Sequence, residues 1–150
     1  MLSKNISELR AFNRFYTNHL GWLDRTILTG SLTLTEARVL FEVHQHQPCT
    51  ARDLLGILQL DKGYLSRTLD SFERRGYIQR KPSTHDGRCL LISLRSRGST
   101  EFNKINKASE DQIRSLLEGL SPASRKKLVH HTRAIIQLLQ HQNHEKNQPQ

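Results

Sequence analysis

Cysteine is scarce in this chain, with only Cys49 and Cys89 among 150 residues. Two thiols cannot build the disulfide framework of a small secreted domain. No CxxC pair or Cys/His set has structural-zinc spacing, so neither a metal nor another cofactor is expected. Long hydrophobic runs are missing too. No stretch approaches the ~20 apolar residues of a membrane span, and the N-terminus, charged at Lys4, Glu8, Arg10 and Arg14, has no signal-peptide core. The expected setting is a reducing cytoplasm, with no membrane contact. The sequence also lacks a P-loop, a GxGxxG turn and a GxSxG elbow, and its acidic residues show no paired acid/base arrangement. A non-enzyme is expected.

Acidic residues are the next shortage: 14 Asp and Glu face 23 Lys and Arg, a net charge of +9, with eight His besides. That balance points to a polyanionic partner. Residues 61–100 carry nine basic and four acidic side chains, more than half of the excess. Such focusing fits a contact face, although a solvated basic face without a partner fits the count as well. At ~100–200 residues per domain, the chain is expected to be a single domain over 1–150.

Apolar spacing predicts mostly helix. From Ser7 to about Trp22, the residues Leu9, Phe12, Phe15, Tyr16, Leu20 and Leu23 recur at three- and four-residue steps. Thr33 and Glu36 have capping-box spacing, with Thr35 a competing cap, ahead of a helix whose apolar side is Leu34, Val39, Leu40 and Val43. Pro48 ends that region. Thr50 and Asp53 open a short helix carrying Ala51, Leu54, Leu55 and Leu58. Asp61 caps a further helix to about Arg75, with Leu65, Leu69 and Phe72 as its buried stripe and Gly76 closing it. The period then changes to two. Residues 77–81 and 89–94 read as strands around the turn chemistry of Pro82 to Arg88. Helices are expected again over roughly 97–118 and 122–141, the second capped by Ser121 with Pro122 at its first position. Its seam is Leu128, Thr132, Ile135 and Leu139, and residues 144–150 read as a frayed tail. The expected class is mainly α with a small two-stranded β wing, a winged helix-turn-helix.

The helix over 61–75 turns Gly63, Tyr64, Arg67, Asp70, Ser71 and Arg74 away from its stripe, with Lys62 and Ser66 on the flank. Gly63 allows close approach of a duplex. Arg67 suits a bidentate contact to guanine in the major groove, and Tyr64 and Ser66 suit bases or phosphates. In the hairpin, Arg88 beside Gly87 suits a minor groove, with Asp86 holding its side chain. Arg80 and Lys81 on the first strand are placed for phosphates. An ordinary polar helix surface and a structural Asp86–Arg88 turn pair are the competing readings.

LTLTEARVL (32–40), the stretch from Thr50 through LDKGYLSRTLDSFERRGYI (60–78), and DGRCLLISL (86–94) resemble the MarR family of winged helix-turn-helix transcriptional regulators. The resemblance covers roughly residues 5–140. With LRAFNRFY (9–16) included, it is nearest to the MarR-like half of proteins fused to an acetyltransferase, for which 150 residues leave no room. It implies a nucleoid-associated homodimer built from helices over 1–30 and 97–143 around a DNA-binding lobe at 33–95. Such a dimer binds a palindromic operator in double-stranded DNA and is usually a repressor released by a small molecule or oxidant. By motif position, Lys62, Tyr64, Ser66 and Arg67 would lie in the major groove, with Asp86 and Arg88 at the wing tip. Where the family commonly has Leu-Thr after the second wing strand, this chain has Leu94-Arg95. Ser96 is then the expected cap of the following helix.

Four of the nine aromatic residues, Phe12, Phe15, Tyr16 and Trp22, fall within eleven positions. They are candidates to line a pocket for a small aromatic effector of the kind the family accepts, with dimer core as the favoured competing reading. Cys49 and Cys89 read as inert thiols rather than sensors, and the His pairs lack ligand-spaced neighbours. Two other functions stay open: a protein-interaction module, and the regulatory partner of a separately encoded acetyltransferase.

Overall fold

The computed structural model describes residues 1–27 and 32–146, with side chains described over 1–18 and 32–140. Contacts within the chain form two compact units, residues 1–110 and 111–150. The first contains α1 (Leu2–Ile27), α2 (Leu34–His46), α3 (Ala51–Leu58), α4 (Lys62–Arg74), β1 (Ile78–Pro82), β2 (Leu90–Leu94) and the first part of α5 (Ser96–Glu118). The end of α5 and α6 (Pro122–Lys146) lie in the second.

Local chemistry sets most of the boundaries. Thr33, not Thr35, caps α2: its Oγ1 accepts from the Glu36 N–H at 3.2 Å while the Glu36 carboxylate accepts from the Thr33 N–H at 2.7 Å. Thr50 and Asp53 repeat the device at α3. Gln59 then turns the chain in the left-handed region (φ 52°), its N–H donating to the Leu55 carbonyl, and Asp61 opens α4 by accepting from the Tyr64 N–H at 2.9 Å. At the far end of α4, Gly76 (φ 72°) donates to the Glu73 carbonyl and Tyr77 to that of Phe72, a complete Schellman closure.

The Thr50 backbone and hydroxyl hydrogen bonds hold the Asp53 carboxyl below its ordinary 3.8. Because the folded value is depressed, this interaction stabilises the fold fully above pH 3.8, and the contribution is lost as pH falls through the folded value. Thr50→Ala is therefore expected to cost about 1 kcal/mol at pH 7, with a smaller gap from the parent at pH 3. Urea unfolding at the two pH values checks this; an equal gap at both would remove the carboxylate from the account.

β1 and β2 pair antiparallel from Ile78 opposite Leu94 to Pro82 opposite Leu90. Cys49 adds a one-residue third strand, exchanging backbone hydrogen bonds with Ile92 at 3.1 and 2.7 Å, and Gln47 Oε1 accepts from the Leu94 N–H. The core gathers Val39, Leu40 and Val43 of α2, Leu54 and Leu58 of α3, and the α4 stripe with Ile78 and Ile92. This is the winged helix-turn-helix that the sequence predicts. Burial raises the Cys49 thiol above its ordinary value, with the Asp53 carboxylate adding to the effect, in keeping with an inert thiol.

The structure differs from expectation at several edges. The first helix begins at Leu2 rather than Ser7 and runs to Ile27, because Leu2 and Ile6 continue the apolar stripe one turn further back. Ser96 is the first residue of α5 rather than its cap: Ser99 N–H bonds to the Arg95 carbonyl, so Arg95 occupies the preceding position. Leu34 is about half exposed instead of core. In the second unit, Ser121 Oγ caps α6 by accepting from the Ser124 N–H, and Arg125 donates to the Leu117 carbonyl at 2.6 Å. That helix continues to Lys146, through the start of the expected tail; residues 147–150 lie outside the described ones. Leu128, Ile135 and Leu139 of its seam are exposed within the single chain, as are Leu9, Phe12 and Phe15 of α1.

Candidate nucleic-acid interface

Helix α4 takes its orientation from what it buries. Leu65, Thr68, Leu69 and Phe72 face inward, and by the 100° step the opposite side carries the polar set. Lys62, Ser66, Arg67 and Arg74 are exposed, while Gly63 and Tyr64 are half-buried at the N-terminal end. A Cβ at position 63 would stand 3.2 Å from an Arg67 guanidinium nitrogen and 3.1 Å from Asp61 Oδ1. The Arg67 side chain therefore folds back across the space that Gly63 leaves open. Between α3 and α4 lies a groove of about 450 Å³, with Arg52, Lys62, Ser66 and Arg80 as its polar walls.

The wing tip is a network of backbone bonds. Ser83 N–H donates to the Cys89 carbonyl at 2.8 Å, Cys89 N–H to the Asp86 carbonyl at 2.9 Å, and His85 N–H to Ser83 Oγ. Asp86 Oδ1 accepts from the Arg88 backbone N–H at 3.0 Å. The carboxylate thus fixes the turn and does not hold the Arg88 guanidinium, a correction to the sequence reading. A short Asx-type bond satisfies the local N–H, leaving the long side chain to project.

Arg80 departs further from expectation. Its guanidinium is committed within the protein, donating from Nε to Glu73 at 2.9 Å and from Nη2 to Asp70 at 2.7 Å. These bonds hold the Glu73 carboxyl below its ordinary 4.5. A guanidinium so paired offers little to a phosphate, and Arg80 leaves the expected phosphate set. By contrast, Lys62, Arg67, Arg74, Lys81 and Arg88 form no ion pair among the described residues.

Phe12 and Tyr16 stack with ring centroids 5.5 Å apart, and both, with Phe15, are largely exposed; the side chain of Trp22 lies outside the described residues. An apolar groove of about 280 Å³ lies between α2 and α5, walled by Leu34, Phe41, Phe102 and Ile105 with Arg38 and Asn106.

The profile of the MarR family matches residues 32–90, from the start of α2 to the wing. The organic hydroperoxide resistance transcriptional regulator of Bacillus subtilis is 32% identical over 117 residues, covering 78% of this chain and 76% of that one. The chain belongs to the MarR family. Two further curated relatives, the regulator BilQ of Clostridium symbiosum and the repressor MprA of Escherichia coli, are spanned over only 56% and 61% of their length. Two solved MarR-family folds are similar to this one. A substituted MarR of Escherichia coli complexed with operator DNA superimposes with a TM-score of 0.71 at 20% identity, over 90% of this chain and 97% of that one. BpsR of Bordetella bronchiseptica, whose DNA binding is regulated by 6-hydroxynicotinic acid, gives 0.68 at 21%, over 84% and 90%.

Within the MarR frame, three features escaped the sequence reading. The acceptors of Arg80, Asp70 and Glu73, lie ten and seven residues before it, and only the turn at Gly76 brings strand back to helix. Cys49 joins the sheet as a single bridge, too short for any alternation to reveal. Gly98 sits in α5 against the Tyr77 backbone and carries no motif of its own.

Proposed function

We propose that this MarR-family chain is a sequence-specific transcriptional regulator of double-stranded DNA, acting as a repressor. The observation that carries the reading is a set of cations that form no ion pair among the described residues, on two adjacent projections: Lys62, Arg67 and Arg74 on α4, and Lys81 and Arg88 on the wing. A helix and a hairpin bearing free cations side by side match a major groove and its flanking minor groove. Gly63, Tyr64 and Ser66 complete the close-approach surface, and Asp86 shapes the wing turn. The exposed apolar faces of α1 and α6 are what a second copy would cover, giving the two-fold arrangement that a palindromic operator requires. The half-sites are then ~10–10.5 bp apart.

A small aromatic acid is the proposed effector. The 280 Å³ groove between α2 and α5 supports it better than the α1 cluster does, because it pairs apolar walls with Arg38 and Asn106. A gel shift with the duplex immediately upstream of the chain's own gene tests the DNA reading. Retention against excess random duplex is expected, and aromatic acids such as 6-hydroxynicotinic acid should release the complex. Equal competition by random duplex would remove sequence specificity from the proposal.

A further inference from the structure

Arg80 stands at the third position of β1, opposite Ile92, and its side chain points back onto α4. There it meets Asp70 and Glu73, one helical turn apart. Those two carboxylates sit between Arg67 and Arg74 in sequence, on the helix whose polar face carries the candidate cations. Arg80 is only 24% exposed, against 49% and 41% for its partners, so the fork is shielded beyond an ordinary surface pair. Bidentate pairing of this kind fixes direction as well as charge, which a lysine at the same place would not do.

We propose that Arg80 is a positioning residue for DNA binding: its fork staples the wing sheet to the recognition helix and covers two carboxylates that would otherwise repel phosphates. The inference rests on the DNA-binding reading above. Arg80 acts through the angle between α4 and the wing and through the charge it masks, not by touching the duplex. Its loss therefore leaves the count of phosphate contacts unchanged while lowering affinity.

The test uses the full chain with Arg80→Gln, Arg80→Lys, Asp70→Asn/Glu73→Gln and the triple variant, read in two ways. In the free protein, amide exchange of β1 and β2 should accelerate by about 10-fold in Arg80→Gln, and accelerate also in Arg80→Lys. In titrations of the upstream duplex over a series of salt concentrations, Arg80→Gln should bind about 10-fold more weakly with an unchanged salt slope, whereas loss of a phosphate contact would flatten the slope by about 1. The triple variant, free of the uncovered carboxylates, should bind more tightly than Arg80→Gln. A flattened slope with unchanged exchange would make Arg80 a direct phosphate contact and overturn the proposal, as would unchanged affinity. If Arg80→Gln does not fold, Arg80→Lys, which keeps the charge without the fork, carries the same comparison. If the parent chain binds no duplex, the DNA-binding reading fails and the binding role of Arg80 with it, while the exchange rates still decide whether the staple exists.

Discussion

Gly98→Ala is expected to destabilise the first unit by about 3 kcal/mol, near the top of the usual range for overpacking. The added Cβ would lie 2.0 Å from the Tyr77 carbonyl oxygen and 2.8 Å from its carbon. No rotamer change relieves a clash between two backbones. Tyr77 cannot yield freely either, since its N–H is bonded to Phe72, its carbonyl accepts from the Arg95 N–H at 2.8 Å, and its ring is buried beside Phe72. The start of α5 would have to move away from the wing and lose the Arg95 bond. At ~2–4 °C per kcal/mol for a chain of this size, Tm should fall by roughly 6–12 °C. Helix propensity alone predicts the opposite sign, because Ala is favoured over Gly by about 1 kcal/mol. Gly56→Ala is the matched control: the position is in α3 with nothing within 4 Å of the new carbon, and a small rise in Tm is expected. A rise for Gly98→Ala as well would mean that the contact with Tyr77 is absent.

Arg67→Ala and Lys81→Ala should separate base reading from phosphate binding. Arg67 lies on the exposed side of α4 near its N-terminal end, across open Gly63, where a guanidinium can approach guanine O6 and N7. Its loss should cost about 1–3 kcal/mol of discrimination, roughly 5- to 150-fold between the upstream duplex and a random one. Lys81, exposed on β1 and without an ion pair among the described residues, should weaken both duplexes alike when removed and flatten the salt slope by about 1. Competition titrations with both DNAs measure the two effects. Identical behaviour of the variants would mean that the roles are wrongly assigned.

What the sequence made visible was local. Thr33, Thr50 and Asp61 announced their caps because a cap and its partner are three residues apart, and Leu65, Leu69 and Phe72 announced the buried stripe because a helix repeats every 3.6 residues. The wing was readable from Gly87 and the change to strand period. What stayed hidden depends on the chain closing on itself. Arg80 looks like any strand cation until β1 folds back along α4. Asp86 offers a carboxylate near Arg88, and only the turn geometry shows that it accepts from the backbone N–H and not from the guanidinium. Leu34 has the spacing of a core residue, yet it lies about half exposed and walls the groove between α2 and α5. The aromatic cluster of α1 shows the same limit, since an apolar stripe announces that something covers it without saying what.

The most direct test of DNA binding through free cations on α4 and the wing is the affinity for the upstream duplex as salt is raised from about 50 to 200 mM. With several phosphates neutralised in each half-site, log K should fall linearly with log salt, and affinity should drop by at least ~100-fold over that range. An affinity that changes by less than about two-fold would contradict the account, because the cations of α4 and the wing would then not be meeting phosphates.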